Sequence, residues 1–412
     1  MAEVETLSPA LEDRLTAIGR ADVVIVMPAL ATAGALREAA GRARQAVAGL
    51  TTHVRAVVVH PEGLVPDAEP GGTDNLGLLA FPIGPLDRFP GPGQNPAEAY
   101  RSVFRLSQRL GARACALVGS DPAQLPPDAL CRLVAPVVEQ GFDLITPLYL
   151  RRRFEGLLLS AVVAPLIRAL YGRRILFPVG ADLGLSGRMV ERQLTLPSAG
   201  RDGIPVWLPS DALSAGFQVG QAQLGVPLPA QRDPPEVSAA VVQVLGPLFL
   251  DLERNAAAWQ KVRGSQAVPI FGPARWLVDE PGAVEVTRLI ETFRLGYRDL
   301  QEVWSAVLPP ATLLELKRLT APASTTFRLP DELWARIVYD FAVAHRLRVM
   351  SRDHLLGAMT PLYLAWVASY ANEVGTAPPV AVEYRLEQVG AAFEAQKPYL
   401  MSRWRWPDRF HP

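Results

Sequence analysis

The sequence has almost no lysine, almost no cysteine and no net charge. Three of its 41 Lys+Arg residues are lysines, which leaves few Schiff-base formers or low-pKa amines, because arginine replaces lysine in neither role. Two cysteines, Cys115 and Cys131, cannot build a disulfide framework, and their separation matches no zinc-ligand spacing. That usage fits a reducing compartment. The 41 acidic residues balance the 41 basic ones, so the long-range field of a nucleic-acid binder or a polybasic membrane protein is missing, and no nucleic acid is expected as a partner. The start, Met-Ala-Glu-Val-Glu, lacks a basic stretch followed by an apolar one, which argues against a secretory signal and leads to the expectation of a cytoplasmic protein. Long apolar runs are scarce too. The uncharged stretch at residues 355–372 sits at the ~18-residue lower limit for crossing a bilayer. It contains Thr360, Pro361, Ser369 and two tyrosines, so a buried helix and no transmembrane span are expected. Any patch of it left exposed would seat a second copy of the chain, which makes a homodimer the expected assembly.

What remains is the composition of a folded chain, 49% apolar and 20% charged. At ~150 residues per domain, 412 residues suggest two domains, or one large domain with an appendage. Residues 21–28 (ADVVIVMP), 53–59 (HVRAVVV), 76–83, 114–118 (ACALV) and 142–148 read as strands, and residues 33–48, 96–110, 126–140 and 154–171 as helices. Apolar strands alternating with helices argue for the α/β class, with a mostly parallel sheet flanked by helices on both faces. From residue 236 the pattern changes. Residues 237–262, 283–307, 331–347, 353–374 and 385–404 read as helices, with breaks such as Leu308-Pro309-Pro310 and Thr376-Ala377-Pro378-Pro379. The expected organisation is an N-terminal helix over 1–20, an α/β domain over 21–235 and an all-α C-terminal extension over 236–412.

In an open parallel sheet, ligands bind outside the carboxyl ends of the strands, which singles out the loops at residues 28–34, 60–63 and 119–121. The first reads Pro28-Ala29-Leu30-Ala31-Thr32-Ala33-Gly34, and it lacks both the G-x-G-x-x-G of dinucleotide folds and the glycines and lysine of a P-loop. NAD enzymes and P-loop NTPases are excluded. In the third loop, strand 114–118 runs into Gly119-Ser120-Asp121-Pro122. An acid there can hold a divalent cation that neutralises a nucleotide-diphosphate leaving group, or it can cap the turn that follows. His60 offers a nucleobase contact or, more simply, a cap. Cys115 reads as a small core residue. Trp334, Trp366, Trp404 and Trp406 read as packing in the helical half, whereas Trp207 lies where an aromatic could stack on a sugar or base.

Several motifs occur in a telling order: Thr146-Pro147-Leu148-Tyr149, the triplet Arg151-Arg152-Arg153, Pro165-Leu166, and Phe177-Pro178-Val179-Gly180-Ala181-Asp182-Leu183-Gly184. This region resembles the centre of GT-A-fold glycosyltransferases of the mannosylglycerate synthase and glucosyl-3-phosphoglycerate synthase type. Residues 331–341 and 399–406 resemble the helical tail of the same group. The resemblance implies a GT-A fold, Rossmann-like with a mostly parallel sheet, in which a sugar moves from a nucleotide-diphosphate sugar to a small, anionic acceptor with the help of Mg2+ or Mn2+. It places Asp121 on the last acid of the Asp-x-Asp metal motif and Asp182 on the catalytic acid of the Pro-(Ile/Leu)-Gly-Gly-(Asp/Glu) motif. Pro28, Glu62, Ser120, Asp121 and Gly180 would then line the donor, with Arg151, Arg152, Arg153 and Trp207 on the substrate side. A guanidinium fork suits a phosphorylated or carboxylated acceptor, and a solvated basic turn is the plainer role for such a triplet.

The departures from that family pattern fall on the chemistry. Gly119 stands where the metal motif has a carboxylate, and Pro205 where the family has an aspartate. No histidine occurs near Pro229, ahead of Arg232-Asp233-Pro234, and Pro28-Ala29-Leu30-Ala31 replaces Pro-x-Tyr-Asn. Gly91-Pro92-Gly93 lacks the lysine of Gly-Lys-Gly. Asp202, Asp211, Asp233 or Glu62 could supply a carboxylate from another position. The sequence therefore carries a second expectation, a catalytically impaired relative that keeps the fold as a binding or scaffold protein. Convergence of Asp121 and Asp182 on one hollow is what the transferase reading requires.

Overall fold

Short runs of β-branched residues bounded by turn residues make the strands of this chain, and a threonine or serine at the entry to a helix sets where some of the helices begin. The structure, a computed structural model, describes residues 9–64, 75–83, 96–197, 205–229, 236–273, 275–278 and 284–408. Residues 1–8 of the expected N-terminal helix, and Gly91, Pro92, Gly93, Asp202, Gly203, Ile204, Arg232, Asp233 and Pro234, lie outside the described residues. The strands are Val23–Val26 (β1), Ala56–Pro61 (β2), Leu76–Phe81 (β3), Ala114–Val118 (β4), Leu144–Leu150 (β5), Arg173–Arg174 (β6), Asp182–Ser186 (β7), Val219–Pro227 (β8), Gln266–Ala267 (β9) and Ile270–Phe271 (β10). Two compact units share them. One comprises Met1–Tyr149, Val179–Pro229 and Pro269–Ala274, and the other Leu150–Pro178, Ala230–Val268 and Arg275–Pro412.

The first unit is built on an eight-stranded sheet, among the described residues, in the order β10-β8-β5-β7-β4-β1-β2-β3. Strands β4, β1, β2 and β3 are parallel neighbours, as the alternation of apolar strands and helices predicts. Strand β7 was invisible to that pattern. It inserts antiparallel between β4 and β5, and its sequence, Asp-Leu-Gly-Leu-Ser, is too short and too rich in glycine and polar residues to read as a buried strand. The close packing explains Gly184, where a Cβ would collide with the carbonyl oxygen of Leu133 in helix Pro127–Gln140. Thr32 caps helix Ala33–Ala48 by accepting from the Ala35 N–H at 3.1 Å, and Ser186 caps helix Gly187–Thr195 through the Met189 N–H at 3.1 Å. The sheet core is fully apolar: Val23 to Val26 and Val57 to Val59 are all 0% exposed.

The second unit is helical. Helix Asp331–Leu347 is buried on nearly all sides, and helix Thr360–Val374 is similar, which is why neither shows a simple amphipathic pattern. Buried aromatic heads find carbonyl partners, with Trp334 Nε1 donating to Ala161 O and Tyr339 Oη to Phe393 O at 2.9 and 2.6 Å. Several expected helices are divided or shifted. Residues 154–171 become a π-helical turn, Leu159–Val163, followed by helix Ala164–Tyr171. Residues 353–374 split into Arg352–Gly357 and Thr360–Val374, and 385–404 into Pro379–Ala395 and Lys397–Arg405. Leu308-Pro309-Pro310, read as a break, instead opens helix Pro310–Leu319, since proline at the first helical position gives up no hydrogen bond. Among the described residues, no helix is long and apolar enough to cross a membrane.

One buried group in this unit makes a pH prediction. His345, in the last turn of helix Asp331–Leu347, is 1% exposed, packs on Phe249 at 5.7 Å, and has no partner for either ring nitrogen. Burial, helped by Arg352, pushes its pKa down to about 4. The unfolded chain then takes up a proton that the folded chain refuses. Stability is therefore intact above the ordinary histidine pKa of ~6.5 and falls as pH drops toward 4, by roughly 1.4 kcal/mol per unit. Relative to His345→Phe, the wild type is expected to lose about 2 kcal/mol between pH 8 and pH 5 in denaturant titrations. Parallel pH profiles for the two proteins would remove this account of His345.

Candidate functional site

The order of the strands decides where a ligand can sit in the first unit. From β1 the chain builds outward through β2 and β3, then returns to place β4 on the other side of β1. The loops after β1 and β4 consequently diverge at the carboxyl edge of the sheet and leave the crevice that open α/β sheets use for binding. Register confirms which residues share that edge: Val26 of β1 pairs with Val59 of β2 and Leu117 of β4, and Val118 pairs with Asp182. Because β7 is antiparallel, its first residue, Asp182, falls beside the last residue of β4. Pro28, Glu62, Ser120, Asp121, Gly180 and Asp182 thus belong to loops or strand ends along one edge.

Within this edge the side chains differ sharply. Asp182 is 0% exposed, and all its acceptor capacity points inward. One oxygen accepts from the Ser120 N–H at 3.1 Å and from Ser120 Oγ at 2.8 Å, and the other accepts from Tyr149 Oη at 2.6 Å. Tyr149 Oη in turn accepts from the N–H groups of Ala181 and Asp182, each at 3.2 Å. Burial raises the Asp182 pKa, while the bonds from Tyr149, Ser120 and Gly119 oppose that shift. Asp182 therefore ties the Gly119–Ser120 turn to the ends of β5 and β7. Gly180 is required for the same closeness, because a Cβ there would collide with Pro147.

Asp121 does something else. It is exposed, its Oδ1 accepts from the Ala123 N–H at 2.9 Å and its Oδ2 from Gln124 Nε2 at 3.3 Å. This is the capping geometry of an aspartate opening a turn. Ser120 joins the two acids through the chain, but their carboxylates face different tasks. Glu62 is exposed and Pro28 half-buried in their loops. His60 is buried, its Nδ1 lies 2.9 Å from Pro61 O, and burial lowers its pKa. Trp207 is 4% exposed and packs edge-on against Tyr100 at 6.3 Å. Asp211 is buried as well, within hydrogen-bond reach of Gln193 Nε2 at 3.4 Å. Tyr149 is the residue that sequence reasoning passed over: it stands in the quoted Thr-Pro-Leu-Tyr motif, and only the inserted β7 shows what its hydroxyl serves.

The donor set was compared with the needs of Mg2+ or Mn2+, which take six or more oxygen ligands and usually two carboxylates or a carboxylate with phosphates. Asp121 offers one carboxylate already engaged by its own turn, and Asp182 is enclosed. Among the described residues there is no group of three His, Cys, Asp or Glu side chains able to hold a metal ion. These residues do not fit a protein-held divalent cation.

The arginine triplet belongs to the second unit, and its members have three different environments. Arg152 is exposed and pairs with Glu155 at 3.5 Å. Arg153 is 6% exposed and donates to the carbonyls of Val374, Gly375 and Ala377 at 2.8, 2.8 and 3.2 Å, closing the end of helix Thr360–Val374. Arg151 is 0% exposed. Its Nη1 donates to Glu155 O at 3.0 Å and Ser160 Oγ at 2.6 Å, and its guanidinium lies over the rings of Trp276 and Phe177 at 4.9 and 5.5 Å.

No family model and no curated protein matches this chain. Among solved structures, the chain is similar to glucosyl-3-phosphoglycerate synthase from Mycobacterium tuberculosis in complex with Mn2+, uridine diphosphate and phosphoglyceric acid. That likeness has 18% identity over 59% of this chain and 81% of the other, with a TM-score of 0.33. A mannosyltransferase from Pyrobaculum calidifontis in complex with GDP-Man and Mn2+ is similar at 12% identity over 94% of this chain and 88% of the other, with a TM-score of 0.32. A mycobacterial protein is similar at 20% identity, covering 58% and 77% of the two chains, with a TM-score of 0.35.

Proposed function

We propose that this chain is a glycosyltransferase of the GT-A kind, which seats a nucleotide-diphosphate sugar at the carboxyl edge of its sheet and passes the sugar to a small, anionic acceptor. The observation that carries the reading is the crevice between the loops after β1 and β4, with the resemblance-bearing Gly119-Ser120-Asp121 and Asp182 on one side of it. Helix Ala33–Ala48 begins from the loop after β1, so its N-terminal N–H groups lie at the same edge, where a diphosphate is favoured. In this scheme Asp182 and Tyr149 hold the turn that shapes the donor seat, and Asp121 keeps that turn closed on its far side. Neither the metal nor any step through it is assigned to a protein carboxylate.

A second reading, a sugar-nucleotide-binding relative without turnover, is favoured by the engagement of both aspartates in fixed hydrogen bonds. Calorimetric titration with UDP-glucose and GDP-mannose, each with and without Mn2+, tests the shared premise. Saturable binding of one donor is expected, and Ala29→Trp, which puts bulk on the half-buried loop after β1, is expected to weaken it at least tenfold while leaving the fold intact. Binding accompanied by slow release of UDP or GDP supports the transferase, and binding with no release supports the second reading. Absence of binding to either donor at millimolar concentration, in both metal conditions, would sink both.

A further inference from the structure

We propose that Arg151 is an oxyanion-binding site in the second unit, taking a carboxylate or phosphate group on the edge of its guanidinium formed by Nε and Nη2. Those two N–H groups lie along one side of the planar group and together form the fork that accepts two parallel bonds from a carboxylate or phosphate. Both are buried and have no acceptor in the structure. The third nitrogen, Nη1, is held by Glu155 O and Ser160 Oγ, and the plane is fixed between the rings of Trp276 and Phe177. The backbone is fixed too: Arg151 N–H donates to Trp276 O, and Arg151 O accepts from Val278 N–H, both at 2.9 Å. Every part of the residue is anchored except the one edge suited to an oxyanion.

A buried guanidinium with this few partners is costly unless something answers its charge. Among the described residues, no carboxylate forms an ion pair with Arg151, and Glu155, the acid next to it in sequence, directs its carboxylate at Arg152. A structural arginine would follow Arg153, whose Nη1 spans three carbonyls. Two independent features point the same way. Ser160, which receives Nη1, lies in the π-helical turn Leu159–Val163, an irregularity that helices tend to keep at functional sites. Ser160 and Trp276 also line a cleft with Ala164, Leu176 and Arg174, so the residues that hold the guanidinium border open space. That cleft has a volume of about 70 Å³, far below the ~300 Å³ at which pockets begin to enclose drug-sized molecules. It suits a small oxyanion or the charged end of a ligand, and it is too small for a nucleotide. The proposal stands on this unit alone and does not require the transferase reading.

The test is a calorimetric titration of the full chain with inorganic phosphate and, separately, acetate, at constant ionic strength in chloride. One-to-one binding of one probe is expected, and which probe binds tells phosphate from carboxylate chemistry. Affinity is expected to fall at least tenfold in Arg151→Met and in Arg151→Lys, which keeps the charge but loses the fork, and to be unchanged in Arg298→Met, a distant exposed arginine. Arg151→Met is also expected to lose the probe-dependent rise in Tm. Should Arg151→Met fail to fold, the Nε–H resonance of the wild-type protein that Arg151→Lys lacks is followed in nitrogen-15 spectra, where a saturable shift with the probe is expected. Neither probe binding more tightly than chloride, wild-type affinity in both Arg151 variants, or an unmoved Nε–H signal overturns the proposal.

Discussion

Replacing Asp182 with alanine is expected to lower the unfolding free energy by about 4 kcal/mol, because it leaves the Ser120 N–H, the Ser120 hydroxyl and the Tyr149 hydroxyl buried without their acceptor. Tyr149→Phe should cost less, about 1–2 kcal/mol, since it removes one donor together with its partner bond. The two losses are expected to be non-additive by at least 0.5 kcal/mol in a double-mutant cycle, as they strike one network. Asp182→Asn should fall between wild type and alanine: an amide keeps one acceptor but presents a donor to groups of which the Ser120 N–H cannot turn round. Denaturant titration reads all three. The same variants bear on function, for a residue acting through the Ser120 turn should lower donor affinity in Tyr149→Phe as well as in Asp182→Ala. A loss under 1 kcal/mol in Asp182→Ala would mean that the carboxylate is not the clamp described here.

Arg403→Met is expected to be similarly severe, at about 3–5 kcal/mol, which is typical of stranding one member of a buried ion pair. Arg403 is 2% and Asp340 1% exposed, and Arg403 Nε donates to Asp340 Oδ1 at 2.8 Å. Burial raises the Asp340 pKa to about 6, against the pull of Arg403 and of the Tyr399 hydroxyl, which donates to both carboxylate oxygens. Losing the cation leaves burial unopposed by it. Asp340→Leu combined with Arg403→Met should recover most of the loss, because exchanging a whole buried pair for apolar groups is often neutral. The double variant staying as unstable as Arg403→Met would show that packing of the arginine stem, and not the stranded carboxylate, sets the cost.

The sequence by itself determined the elements whose pattern is local. Helices 33–48 and 331–347 and strand 114–118 have the bounds that spacing alone predicts, and the parallel order of β4, β1, β2 and β3 follows from strands alternating with helices. It also singled out the loops after β1, β2 and β4 as the binding edge, since that rule depends on strand direction and not on side-chain contacts. Tertiary structure decided the rest. Strand β7 has no local signature, because a short segment with glycine and polar ends becomes a strand only when β4 and β5 offer it two rows of partners. With β7 in place, Asp182 is drawn beneath Ser120 and onto Tyr149, a contact between residues 33 positions apart that no spacing rule encodes. The arginine triplet shows the same division most clearly. Three identical neighbours in the sequence became a surface ion pair, a helix-end clamp and a caged guanidinium, because burial and available acceptors are set by whatever the fold brings against each one.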